Sequence, residues 1–78
     1  MLLSEIYVDG QNIRPRDRLE FDYHGTTRHG TVDQIRECNN GNTTIFLKTK
    51  DGFKQFRTFD MTNVRIKTFW GYVRRLMS

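Results

Sequence analysis

Leu19-Glu20-Phe21-Asp22-Tyr23 alternates apolar and acidic residues without a break. A period of two puts Leu19, Phe21 and Tyr23 on one face of a half-buried strand and Glu20 and Asp22 on the other. His24-Gly25-Thr26-Thr27 reads as a loop, and residues 28–37 return as a second strand. Val32 and Ile35 are three apart, so a regular strand cannot turn both inward. A bulge or bend between them resolves the conflict, and Gly30 helps the chain curl.

The same signals continue downstream. Asn39-Asn40-Gly41-Asn42 is a strong turn, because Asn and Gly accept positive φ at low cost. Residues 43–50 form a third strand with Ile45 and Leu47 inward. Asp51-Gly52 is a hairpin signal, and residues 53–59 pair back as a fourth strand. Asp60-Met61-Thr62-Asn63 reads as one helical turn capped by Asp60. Residues 64–68 form a fifth strand with Val64 and Ile66 inward. Upstream, Glu5-Ile6-Tyr7-Val8 is a short strand, Asp9-Gly10 a turn, and residues 11–14 an extended arm that Pro15 keeps out of helix.

In the tail, Phe69, Val73, Leu76 and Met77 fall at i, i+4, i+7 and i+8, which predicts a short amphipathic C-terminal helix over residues 69–78. The expectation is a mainly β chain: one domain over residues 1–78, with a small five-stranded SH3/Sm-like barrel over about 5–68 and a helical tail. Closing the sheet protects edges that a flat sheet would expose.

Two blocks carry a family resemblance. They are Leu19-Glu20-Phe21-Asp22-Tyr23-His24-Gly25 and Gly52-Phe53-Lys54-Gln55-Phe56-Arg57-Thr58-Phe59-Asp60-Met61-Thr62-Asn63-Val64. Together they resemble the WYL domain, an Sm-like barrel, and in particular its short phage-encoded versions. Tyr23 matches an early tyrosine, Arg57 and Phe59 match Arg-x-Phe, and Val64 matches a closing aliphatic. Asn63 stands where the family often has arginine, a departure that removes one basic ligand contact. The resemblance covers about residues 17–68. It implies a regulatory module that binds a ligand or nucleic acid in transcription or phage defence, working in the host cytoplasm.

Charge gives an independent hint. The 78 residues carry 13 Lys and Arg against 9 Asp and Glu, net +4. Residues 1–42 hold five bases and seven acids, net −2, and residues 43–78 hold eight bases and two acids, net +6. Such asymmetry is either a solvated surface or a basic face for a polyanion. Lys48 and Lys50 share one strand face, Lys54 lies across the hairpin turn, and Arg65 and Lys67 share the outward face of the fifth strand. Arg74 and Arg75 extend the basic region. This stripe either tracks a phosphate backbone, DNA or RNA, or keeps the surface soluble. Phe46 and Phe56 are expected on the same outward face. There they either stack bases or form a small second core under the tail helix. Arg57, with Phe53, Gln55 and Phe59 as same-face neighbours, either grips phosphate or pairs with Asp22 or Asp60.

A second reading makes the chain an adapter or inhibitor of a host or viral protein, anchored by Trp70 and Tyr72. Edge strands also leave room for oligomerisation. Catalysis finds no support: the two serines, Ser4 and Ser78, are terminal, and the six glycines are isolated. The expectation is no enzyme, no cofactor and no metal, since Cys38, His24 and His29 lack ligand spacing. One cysteine permits no intrachain disulfide, and no apolar run approaches the roughly 20 residues of a membrane helix. Both fit a cytoplasmic protein.

Overall fold

Nearly every element of the fold is a strand, and each follows from a turn residue beside an alternating run. The structure, a computed structural model, describes residues 1–38 and 40–67. Its strands are β1 (Leu2–Leu3), β2 (Ile6–Val8), β3 (Gln11–Ile13), β4 (Arg18–Tyr23), β5 (Thr26–Glu37), β6 (Thr43–Thr49), β7 (Gly52–Arg57) and β8 (Met61–Ile66). A 3-10 turn (Thr58–Asp60) precedes β8. The fold is mainly β, as the alternation predicts.

Five strands lie antiparallel in the order β7-β6-β5-β4-β8. Among the described residues no ladder joins β7 to β8, so backbone hydrogen bonds do not close the sheet into the expected five-stranded barrel. Tyr23 bridges part of the gap. Its hydroxyl accepts a hydrogen bond from the Arg57 backbone N–H at 3.4 Å, and its ring meets Phe56 edge-on at 4.9 Å. The C-terminal helix expected over residues 69–78 lies outside the described residues, with Trp70, Tyr72, Arg74 and Arg75 on it.

β5 is long because it serves three neighbours. Its first half pairs with β4, from Tyr23↔Thr26 to Arg18↔Thr31. Its second half pairs with β6, from Thr31↔Lys48 to Glu37↔Thr43. Its end also pairs with β1 through Leu2↔Arg36 and Leu3↔Ile35. The register shifts between Val32 and Gln34, and Val32 and Ile35 are both buried. The bulge inferred from their spacing of three is present.

β8 repeats the device. Met61, Val64 and Ile66 are all buried, and the β4–β8 register shifts between Glu20 and Asp22. Asn63 absorbs the extra residue with φ 51°. The helical turn expected over residues 60–63 therefore sits earlier, at Thr58–Asp60. Its N-cap is Arg57, with no side-chain cap bond. Asp60 ends the turn instead of capping it.

Of residues 11–14, expected as an arm, Gln11–Ile13 form β3 and pair with β2 through Ile6↔Ile13 and Val8↔Gln11. Asp9 and Gly10 take φ 53° and 76° at the turn, the geometry that suits a tight hairpin. The Asp9 carboxylate accepts a hydrogen bond from Val64 N–H at 3.1 Å, fastening the hairpin to β8. Val8 and Ile13 then join the core of Leu19, Phe21, Ile35, Ile45, Leu47 and their neighbours.

Candidate nucleic-acid interface

A groove of about 420 Å³ opens where β4, β5, β6 and β7 leave the core. Six cations line it: Arg18, Arg28, Lys48, Lys50, Lys54 and Lys67. Two carboxylates, Glu20 and Asp51, line it with them. Six minus two is +4, so this one groove gathers a formal charge equal to the net charge of the whole chain.

Each cation is placed by a local rule. Lys54 pairs with Leu47 in the β6–β7 ladder, so it points to the inner side beyond the end of the core, and it is exposed. Arg28 pairs with Phe21 and does the same from β5. Lys50 and Asp51 form the tip between β6 and β7, where Gly52 takes φ 104°. The Lys67 backbone N–H donates to the Arg18 carbonyl at 2.7 Å, setting those two residues side by side. Gly30 lies in the groove wall against β6. A Cβ there would sit 3.0 Å from the Lys48 carbonyl oxygen and 3.1 Å from Thr49 Cγ2. The close approach of β5 to β6 needs its missing side chain.

Of the residues singled out from sequence, Lys48, Lys50, Lys54 and Lys67 meet here. Arg65 does not: it pairs with Glu20 across β4–β8 at 3.1 Å. Arg57 lies apart, 3.5 Å from Asp60, in a smaller pocket with Asn42, Thr43 and Phe59. Of the two partners considered for it, the structure pairs it with Asp60. The arginine end of that contact is largely exposed, and surface pairs are worth about 0–1 kcal/mol. His24 also reaches Asp60, at 3.4 Å, while stacking on Tyr23 at 4.4 Å.

Phe56 requires a correction. It is not on the outward face with Phe46. It pairs with Ile45, is 6% exposed, and packs edge-on against Phe21 at 5.1 Å. The ladder puts Phe53, Gln55 and Arg57 on one side and Lys54 and Phe56 on the other, and of the second set Phe56 enters the core while Lys54 lies exposed beyond its end. Phe46 does face outward, half-buried, with the Arg36 guanidinium 5.6 Å from its ring centroid.

Sequence reasoning missed Arg18 and Arg28, because both lie in the half whose net charge is negative. Their signal is positional: one starts β4 and the other pairs with Phe21 near its far end, which only the hairpin register relates. Cys38, His24 and His29 are dispersed along and beside β5. Among the described residues no group of three or more metal-ligating side chains gathers, and no helix is long and apolar enough to cross a membrane.

The Asp22 carboxylate is clearly perturbed. Asn63 Nδ2 donates to it at 2.8 Å and Thr27 Oγ1 at 3.0 Å. These bonds favour the charged form and hold its pKa below the ordinary 3.8, with Arg65 assisting and partial desolvation opposing. Comparison with protein-family models, curated proteins and solved structures finds no match for the chain.

Proposed function

We propose that this chain is a small non-catalytic module that binds nucleic acid along the phosphate backbone through the β4–β7 groove. The observation that carries this reading is one concave surface lined by six basic residues drawn from separate strands and turns. Lys and Arg so gathered neutralise successive phosphates and release their counterions. Two carboxylates among them leave a strong positive excess.

The finer fold reading belongs to the same proposal: an SH3/Sm-like barrel of the WYL kind, regulatory and phage-encoded. The order β7-β6-β5-β4-β8 with a 3-10 turn ahead of the last strand supports it. So does the contact of Tyr23 with the Arg57 backbone, which links two of the matched motif positions. Asn63, at the position where arginine is common, is occupied in a hydrogen bond to Asp22 and offers no cation.

The test is binding of labelled oligonucleotides by fluorescence anisotropy at low and near-physiological salt. Replacing Lys48, Lys50 and Lys54 by alanine together removes three of the six groove cations. The expected result is near-complete loss of binding and a salt slope reduced by about 2–3. Unchanged affinity in that triple variant overturns the proposal.

A further inference from the structure

β6 and β7 turn a second surface outward. Paired residues of an antiparallel ladder share a side. Thr44↔Arg57, Phe46↔Gln55 and Lys48↔Phe53 therefore face away from the core, opposite to Ile45↔Phe56. β5 extends this face with Gln34 beside Phe46 and Arg36 beside Thr44. Phe53 is 65% exposed, although it is a large ring with no part in the core. Phe46 and Phe53 are diagonal neighbours on adjacent strands, a separation of about 7–8 Å between backbones.

The surroundings of the two rings are cationic and amide-bearing. Arg36 lies over Phe46, Lys48 is directly opposite Phe53, and Arg57 ends the row. None of the residues paired on this face of β6 and β7 is a carboxylate. Lys48 borders both surfaces: its backbone carbonyl lies against Gly30 in the groove wall, and its side chain shares this face with Phe53.

We propose that Phe46 and Phe53 form a stacking platform for the unpaired bases of a single-stranded polynucleotide whose phosphates run into the basic groove. This rests on the groove reading above and specifies its ligand. Cations flanking aromatic faces are the chemistry that holds an unpaired strand: the charges track the backbone while each base lies on a ring. A duplex keeps its bases stacked inside and offers the rings nothing. Stacking is sequence-tolerant, since every base has a π-face, and raises affinity roughly five- to 150-fold per base.

The test compares a short dT oligomer with a duplex of the same length on the full chain. Phe53→Ala removes a ring that supports no core contact, and a thermal melt checks that the variant stays folded. The expected result is that dT binds more tightly than duplex. Phe53→Ala weakens dT at least five-fold, with the salt slope and the duplex affinity unchanged, and Phe53→Trp restores dT binding. Lys50→Ala with Lys54→Ala weakens both ligands and flattens the salt slope. Duplex binding as tight as dT, or Phe53→Ala binding dT like the unaltered protein, overturns the stacking proposal and leaves the groove standing. No binding of either oligonucleotide at about 50 mM salt overturns the groove reading itself, and the platform with it.

Discussion

Asn63 adopts φ 51° and donates to Asp22 at 2.8 Å. Asparagine tolerates the left-handed region better than most side chains, and its short amide reaches the neighbouring strand from there. Asn63→Ala loses both advantages, and we expect a stability loss of about 1–3 kcal/mol in urea unfolding. The carboxylate at the other end of that bond gives a pH prediction. The folded-state pKa of Asp22 is depressed below 3.8. Its stabilising contribution is therefore complete above that value and is lost as pH falls through the lower folded pKa. Melting temperature measured from pH 6 downward should fall below about pH 4, and Asp22→Asn should flatten that part of the curve. Gly30→Ala should cost about 1–3 kcal/mol, because a Cβ would press on the Lys48 backbone carbonyl as well as on Thr49 Cγ2 and Leu47 Cβ.

At the scale of elements, β7 is where face assignment decides the most. Phe56 is in the core and Phe53 is outside it. Phe56→Ala should cost about 3–5 kcal/mol and Phe53→Ala about 0.5 kcal/mol or less, read from chemical denaturation of the two variants. Similar losses would mean that the register is not the one described. The inward set of β4, β6 and the β5 bulge was legible because apolar residues alternate there, and because Val32 and Ile35 break the alternation visibly. β7 was not legible, because Phe53, Phe56 and Phe59 are spaced by threes and alternation cannot choose among them. Pairing with Ile45 chooses Phe56. β8 misled for a related reason: Met61 and Val64 are also three apart, so a bulged strand read as a helical turn. β1 and β3 carry too few residues for any period to show. Four of the six groove cations were visible as a lysine-rich stretch and Lys67. Arg18 and Arg28 needed the β4–β5 register, which local sequence does not encode.

For the whole molecule, the thin core of a small domain leaves little stability to spare. A bound polyanion should therefore raise the melting temperature measurably, by mass action on the folded state. The groove concentrates a formal +4, while the β2–β3 hairpin turns a balanced pair outward, Glu5 with Arg14 at 3.1 Å. That contrast predicts where, among the described residues, a ligand lands. The most direct test is a nitrogen-15 amide NMR titration of the full chain with a short dT oligomer at low salt. Shift changes are expected to cluster at Arg18, Arg28, Lys48, Lys54 and Lys67 and to spread to Phe53, with the β2–β3 hairpin unmoved. Absence of any shift change, or changes confined to that hairpin, would contradict it.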